Sequence, residues 1–473
     1  MMKRMNNFVK QVSMTCFVLA AVAWPIFAQQ ADNDNQLRRV FDASGVKTVQ
    51  IVNDQPVHVT FIGSDTDSLV IQRLYDKEAH VKYSVSRNDG TLILSFSKTE
   101  LGKQMTDRED RMTWIDHLLS GDWHHNEYRE RKENEYQVTL PRNLSMDIQT
   151  NNSYLGIHRM SASVSANGSD NHFDIDSLGS DLKIEGGDQR VTGNGVGGAV
   201  SIDNHDGSVD LRSVSGPVNV KTHDSHISLQ DVRNSLNLSI TDGSCDIRNI
   251  RGGVHLEGDN LRMNLTGIHG AVSATGKDDH LDASDIQSLK FNGSDAWISV
   301  NHVNGNEGVI IKNSDGTVKL DEIRGPVDIT GSDLGVTLNY LHGKSSFDLS
   351  DSHISGYKLM DNTSLRGDDT SINLKEYQGS KFTSESGSGS IDLTMTSRVD
   401  SVDIRRNSGD VTIRMLEPFN GGYRLLTKRG RVTWTGRQNA QIRPKGDEME
   451  LSGGNKDNGY INIELDRGYI RIN

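Results

Sequence analysis

The chain has 473 residues, of which 34% are hydrophobic, and it carries a formal net charge of −13 at pH 7. This acidic balance excludes a broad nucleic-acid-binding surface, because phosphate recognition requires clustered Lys and Arg. The 46 glycines are accompanied by only 7 prolines, which excludes collagen, and the single long apolar run excludes a polytopic membrane protein.

Residues 1–28 are predicted to be a secretory signal peptide. Basic residues at the start precede a mostly apolar stretch, 12–27, and Ala28 is followed by a polar run. Cleavage after Ala28 would export a chain that does not span a membrane; the alternative is an uncleaved anchor. Cys245 would then be the one remaining cysteine, so an intrachain disulfide is excluded.

Residues 29–145 are predicted to form an N-terminal β cap, because short alternating apolar runs follow one another up to about residue 100. The stretch 101–135 is crowded with charged residues and is interpreted as an insertion with a short helix at 111–119. Its Trp114 and Trp123 are candidate anchors for a protein partner. The alternative is a solvated loop whose tryptophans pack against the body of the protein.

A period of 18 residues governs the stretch 146–416. Turn-like aspartates recur at this spacing, and apolar residues repeat in five columns at offsets of 0, 2, 9, 11 and 14 within each repeat. Two of these columns begin with Val200, Val218 and Leu236, and with Val209, Ile227 and Cys245. Steps of two residues are the alternation of a half-buried strand, so each repeat contains two short strands joined by turns.

The sequence therefore predicts an all-β fold, a single-stack β-solenoid of about 15 coils, roughly 70 Å long at the spacing of neighbouring strands. Leu416 is expected to end the fifth column, and Cys245 is interpreted as a small buried hydrophobe. Such a rod needs both ends covered. Residues 417–473 continue to alternate and are predicted to form a C-terminal β cap.

The segment Gln137-Val138-Thr139-Leu140-Pro141, followed by Met146-Asp147-Ile148, resembles the start of the repeats in bacterial putative-adhesin proteins, whose domains are also called toastrack domains. The later unit Val218-Asn219-Val220 fits the same pattern. The resemblance covers about residues 40–416. It implies an exported protein with β-strand repeats that acts in adhesion or envelope sensing, and it supplies no catalytic motif. The insertion at 101–135 departs from the pattern.

Polysaccharide-cleaving enzymes also use β-solenoids and need paired carboxylates. Lys277-Asp278-Asp279 and Gly367-Asp368-Asp369 are similar to fragments of such a site, but no Gly-His-Gly or Arg-Ile-Lys accompanies them. We therefore predict that the protein is not an enzyme, with a lyase or hydrolase as the less favoured alternative.

Stacking of the coils would align the turn aspartates in a row of oxygen ligands, which suits a hard cation. The candidate calcium ligands are Asp188, Asp206, Asp224 and Asp242. The calcium-binding nonapeptide of β-rolls is absent, and turn aspartates commonly bond their own backbone. No other cofactor is predicted. His205 and His223 are expected to be stacked neighbours.

Trp297 lies between two inward residues, Ala296 and Ile298, and is expected to point to solvent, where it could stack on a sugar or a protein.

The function predicted from the sequence is that of a putative adhesin, located in the periplasm or at the cell surface, whose partner is a cell-surface glycan or an envelope protein. The alternative is a periplasmic structural or sensory domain that binds a membrane protein through 101–135.

Overall fold

The computed structural model describes residues 38–53, 55–75, 81–98, 135–385, 387–396, 399–435, 442–445 and 447–473. The regular secondary structure of these residues is β-strand throughout. The predicted signal peptide and the predicted helix at 111–119 lie outside the described residues.

The N-terminal strands are β1 (Arg38–Asp42), β2 (Thr48–Asn53), β3 (His58–Ser64), β4 (Ser68–Tyr75), β5 (Val81–Asn88), β6 (Thr91–Lys98) and β7 (Glu135–Pro141). The repeat strands are β8 (Ser145–Asn151), β9 (Tyr154–His158), β10 (Val164–Ser169), β11 (His172–Leu178), β12 (Leu182–Gly187), β13 (Gln189–Val196), β14 (Val200–Asn204), β15 (Gly207–Val214), β16 (Val218–Thr222), β17 (Ser225–Val232), β18 (Leu236–Ile240), β19 (Gly243–Ile250), β20 (Val254–Glu257), β21 (Leu261–Lys277), β22 (His280–Ser294), β23 (Trp297–Val303), β24 (Val309–Arg324), β25 (Val327–His342), β26 (Ser345–Ser350), β27 (His353–Leu359), β28 (Thr363–Arg366), β29 (Ser371–Tyr377), β30 (Lys381–Glu385), β31 (Ile391–Met395), β32 (Ser401–Ser408) and β33 (Val411–Met415). The C-terminal strands are β34 (Gly421–Trp434), β35 (Ile442–Lys445), β36 (Glu448–Gly453) and β37 (Asn455–Ile472).

Each coil contributes one strand segment to each of two parallel ladders. Val200 pairs with Val218 in the first ladder, and Val209 pairs with Ile227 in the second, so segments 18 residues apart are in register. The pairing continues from β8 to β33 and gives a β-solenoid of about 15 coils. The predicted fold class and period are confirmed. The coil length changes to 17 and then 20 residues where Val272 pairs with Leu289 and Leu289 with Val309.

Two corners of the coil place residues in the left-handed backbone region. The first corner is the turn between the two ladders, where Asp188 has φ of 52° and Asp242 has φ of 53°. The second corner interrupts the second ladder, as at Ser213 with φ of 57°. Asp and Asn tolerate this conformation because their short polar side chains bond the local backbone. At most of its positions, the aspartate column in the sequence therefore coincides with a left-handed backbone conformation.

At the N-terminal end the order in space differs from the order in sequence. β2 and β3 form a coil beside β8 and β9, and β6 and β7 form the next coil outward. Antiparallel strands then follow: β5 pairs with β6, β4 with β7, and β1 with β4. This change of direction ends the parallel stack and covers its last edges.

The C-terminal end is also interleaved. β37 pairs with β32 and β33 on one side and with β34 on the other. β36 pairs antiparallel with the first half of β34, from Tyr423 to Thr427. The last strand in the sequence is therefore an inner layer of the rod, beneath a strand that precedes it in the chain.

The core is the stack of inward columns between the two ladders. Cys245 lies between Ile227 and Met263 and is fully buried, and burial raises the pKa of its thiol to about 12. Its interpretation as a small buried hydrophobe agrees with this position. One column prediction is wrong: Leu416 is 66% exposed, because Met415 continues the column from Met395.

Candidate binding surface

The four aspartates predicted as a calcium row lie in the first corner of successive coils, in the order Asp188, Asp206, Asp224 and Asp242. Asp242 Oδ1 accepts a hydrogen bond from Asn260 Nδ2 at 2.8 Å, and Asp206 Oδ1 lies 3.0 Å from His205 Nδ1. Within the described part of the chain, no group of three or more His, Cys, Asp or Glu side chains is arranged to hold a metal ion. Calcium binding by this row stays a prediction.

His205 and His223 are stacked neighbours, with ring centroids 4.9 Å apart. The backbone N–H of His223 donates to the carbonyl oxygen of His205 at 2.8 Å. The two rings lie on the same rim as the aspartates, at the start of each turn.

Trp297 is an exposed aromatic residue on the outer surface of the second ladder. Its side chain is 37% exposed, and its indole lies parallel to the imidazole of His280, with centroids 4.1 Å apart and planes 11° apart. His280 Nε2 is in turn 3.0 Å from Asp282 Oδ2. Since His280 belongs to the preceding coil, it supports only one face of the indole.

Small residues follow Trp297 along the same outward column. Thr317 and Gly335 occupy the next two coils, and His353 follows them. A Cβ atom on Gly335 would meet no atom closer than 3.9 Å. We call this open segment between Trp297 and His353 the Trp297 slot; at the spacing of neighbouring strands it is about 14 Å long. Ser299, Lys319 and Thr337 form the outward column beside it.

The column that leads to Trp297 forms a longer stripe, which the sequence reasoning did not identify. Ring contacts begin it: His58 and Tyr154 have centroids 4.2 Å apart, and Tyr154 and His172 have centroids 4.7 Å apart. We call the complete column the ring stripe, and its members are His58, Tyr154, His172, Arg190, Ser208, His226, Ser244, Arg262, His280 and Trp297. Counting back from Trp297 in coil steps would have found it.

The outer surface of the first ladder carries two shallow grooves. One has a volume of about 270 Å³ and crosses the coils of Asn219 and Asn237, whose side chains are joined by a hydrogen bond of 2.9 Å. The other has a volume of about 440 Å³ and is lined by residues that include Asp328, Lys344 and Lys381. Both grooves follow the rod axis, and most of the residues that line them are polar.

Trp114 and Trp123, the predicted partner anchors, lie outside the described residues. The flanking strands nevertheless fix where their segment is attached. It leaves the rod after Lys98 at the end of β6 and returns at Glu135 at the start of β7. These two strands form a coil near the N-terminal end, so the segment connects the two ladders there.

Comparison with known proteins identifies no family for this chain. No family model and no curated protein matches it. A solved structure from Clostridium sporogenes, described as a putative cell adhesion protein, matches with 10% identity over 92% of this chain and 96% of that chain, at a TM-score of 0.14. Its description agrees with the toastrack-type resemblance, but a TM-score this low supports no conclusion about fold or function. No helix in the described residues could cross a membrane.

Proposed function

We propose that this protein is an exported, non-enzymatic β-solenoid that acts as an adhesin. The supporting observation is the ring stripe that leads to the Trp297 slot, which presents aromatic, imidazole and guanidinium groups, interrupted by two serines, in one outward column. Repeated weak contacts along such a face give avidity without a deep pocket.

The Trp297 slot favours a cell-surface glycan as the ligand. The indole provides a flat apolar surface for one face of a sugar ring, and Ser299, Lys319 and Thr337 provide hydroxyl and ammonium groups beside it. The centre of a protein–protein interface is instead depleted in Ser and Lys. An envelope protein is therefore the less favoured partner at this face.

Binding of the mature chain to a glycan array and to whole cells tests this proposal. Trp297→Ala removes the stacking surface, and Gly335→Tyr fills the slot from its floor. Gly335→Ala is the matched control, since a single Cβ fits there without a clash. We expect the first two variants to lose at least about tenfold in affinity, since one base–aromatic stack contributes a comparable energy. Equal binding by all variants would contradict the glycan assignment.

Protease treatment of intact cells tests the location, with a periplasmic protein as the internal control. Cleavage of the rod in intact cells is the expected result for a surface adhesin. Protection until the outer envelope is opened would exclude surface adhesion as the main role. The same preparations, incubated with acidic polysaccharides, should release neither new reducing ends nor unsaturated uronates; release of either would establish the alternative hydrolase or lyase activity.

A second candidate function is binding of a membrane protein partner through the charged insertion at 101–135. The observation that favours it is the attachment of this segment near the N-terminal end of the rod, where it connects β6 and β7. Replacing the segment by a short turn, with Trp114→Ala and Trp123→Ala as point variants, should abolish crosslinking to an envelope protein while glycan binding persists. Loss of both activities in the point variants would contradict a separate partner site.

A further inference from the structure

Polar side chains inside the first corner follow a fixed pattern of hydrogen bonds. Asn171 Oδ1 accepts from the backbone N–H of Ser153, 18 residues earlier, at 3.0 Å, and Asn171 Nδ2 donates to the carbonyl oxygen of Thr150, 21 residues earlier, at 2.9 Å. Gln189 repeats both contacts one coil later, with its Nε2 donating to the Gly168 carbonyl at 2.5 Å. At these two positions the side chain accepts one hydrogen bond and donates another.

Thr370 satisfies the donor half of this pattern much further along the rod. Its Oγ1 donates to the carbonyl oxygen of Leu349, again 21 residues earlier, at 2.7 Å. Three different side chains therefore donate a hydrogen bond to the equivalent backbone carbonyl oxygen of their coils. Asn171, Gln189 and Thr370 are all at most 1% exposed.

Asp279 occupies the same position, and it has no proton to donate when it is ionised. Its Oδ1 accepts from the backbone N–H of Leu261, 18 residues earlier, at 2.9 Å. Its Oδ2 is buried without a hydrogen-bond partner, and the whole residue is only 2% exposed. A Cβ atom on Gly276 would collide with both Asp279 Oδ2 and the Gly258 carbonyl oxygen, so these two oxygens are close to each other. Gly258 is the residue 21 positions earlier.

Most of the charged groups near Asp279 are carboxylates, which oppose its ionisation. The preceding turn carries Asp259, its own turn carries Asp278 and Lys277, and the following turn carries Asp295. Burial, together with the charges of Asp259 and Asp278, raises the pKa of Asp279 to about 6, although the hydrogen bond from the Leu261 N–H lowers it. The buried Cys245 thiol also lies within electrostatic reach and is neutral.

We propose that the Asp279 carboxyl is protonated on Oδ2 in the folded rod. Its O–H donates a hydrogen bond to the carbonyl oxygen of Gly258, as the Asn171 amide does to the carbonyl oxygen of Thr150. A proton fits this position better than a metal ion, because the described residues provide no group of three potential ligand side chains here. Loss of the proton leaves two oxygens facing each other without a donor, which opens this corner. The stability of this corner of the rod therefore depends on pH through Asp279.

Asp279 lies next to the strand that carries Trp297. His280 follows Asp279 directly, and the backbone N–H of Trp297 donates to the Asp279 carbonyl oxygen at 2.8 Å. Opening of the corner at higher pH thus reaches the strand that carries the indole. This consequence is structural and is independent of which ligand the surface binds.

Hydrogen exchange of the Leu261 and Trp297 amides between pH 3 and 8 tests the proposal, after correction for the intrinsic exchange rate. The pKa of Asp279 is higher in the fold than in an open chain, so protection from this group is greatest at low pH and is lost as the pH rises through about 6. A difference of about two pKa units corresponds to a loss of about 100-fold in protection. An infrared band of a protonated carboxylic acid should disappear over the same range.

Asp279→Asn should abolish the pH dependence and keep the protection high at pH 8, since Asn171 shows that this side chain fits the position. Asp279→Thr, which copies the hydroxyl contact of Thr370, provides a second donor if the first variant folds poorly. Asp315→Asn, at an exposed turn position two coils further along the rod, is the control and should behave like the unchanged protein. The proposal is overturned if Asp279→Asn keeps the pH dependence, if the infrared band is absent at pH 5, or if calcium chelation alone reproduces the loss of protection.

Discussion

The guanidinium of Arg406 donates a hydrogen bond of 2.8 Å to the carbonyl oxygen of Thr370, which lies two coils earlier in the chain. The same nitrogen also reaches the carbonyl oxygens of Ser388, at 2.8 Å, and Gly389, at 2.9 Å. Arg406 is only 3% exposed, and burial lowers the pKa of its guanidinium to about 10, so it remains charged at neutral pH. One buried cation thus connects three successive coils near the C-terminal end.

Replacing Arg406 by Met should destabilise that end of the rod. The substitution removes a donor from the carbonyl oxygens of Thr370, Ser388 and Gly389, of which Ser388 also accepts from the backbone N–H of Thr370. A buried group left unpaired costs about 1–3 kcal/mol. Thermal unfolding and hydrogen exchange of the coils around Thr370 measure the effect. Arg405→Met is the matched control, because Arg405 is exposed and forms a surface ion pair with Asp403 at 2.9 Å. Equal stability of the two variants would contradict the role assigned to Arg406.

The aspartate column should divide into two classes when its members are replaced by Ala. Asp242 has φ of 53°, whereas Asp224, in the preceding coil, is outside the left-handed region. Asp242→Ala should therefore cost about 1–2 kcal/mol of unfolding free energy that Asp224→Ala does not. Asp242→Gly should recover most of this cost, although it also loses the hydrogen bond from Asn260. Urea denaturation of the unchanged protein and the three variants measures these differences in unfolding free energy. A similar cost for Ala and Gly at position 242 would exclude the backbone explanation.

Cys245 should resist alkylation as long as the rod is folded. Burial raises the pKa of its thiol to about 12, so both the thiolate population and the access of a reagent are very low. A Cys16→Ser variant isolates the reaction of Cys245 with iodoacetamide, which mass spectrometry follows. The expected rate is that of unfolding, with rapid labelling in denaturant. Fast labelling of the native protein would show that the coil of Cys245 opens readily.

The calcium row predicts that millimolar calcium raises the unfolding temperature. Changing Asp188, Asp206, Asp224 and Asp242 together to Asn should remove this response, while the Asn side chains preserve the local turn chemistry. Magnesium is the control for a nonspecific charge effect, because it prefers a tighter octahedral site. An unchanged response in the fourfold variant would show that calcium binds elsewhere. If calcium does not raise the unfolding temperature of the unchanged protein, the calcium prediction is wrong.

The repeat was predictable because two local rules act in every coil. Side chains alternate along a strand, and the turn aspartates accept a left-handed backbone, so the spacing of Val200, Val218 and Leu236 carries the register directly. Leu416 shows where this reasoning stops. The pairing register shifts in the coil that contains Tyr377, so the fifth column continues through Met395 and Met415 and not through Leu416. The spacing of apolar residues in the sequence does not reveal this shift.

The surface and the two ends were less predictable. Trp297 could be assigned to the outside from its neighbours, but its contact with His280 depends on a coil of 17 residues instead of 18. Asp278 and Asp279 look alike in the sequence, and only alignment with Asn171 distinguishes the buried carboxyl from the exposed one. The interleaved strands at both ends depend on contacts between distant segments. A short alternating run predicts a strand, but it does not identify the strand with which it pairs.

The position of β37 has a consequence for synthesis of the protein on the ribosome. Chains emerge from the N-terminal end, and coils whose neighbours are already present can pair as they appear. β34 emerges before β37, yet it pairs in parallel with β37 along most of its length. The stack therefore cannot continue past β32 and β33 until β37 has been translated, and a chain that stops before β37 exposes the open edges of these two strands.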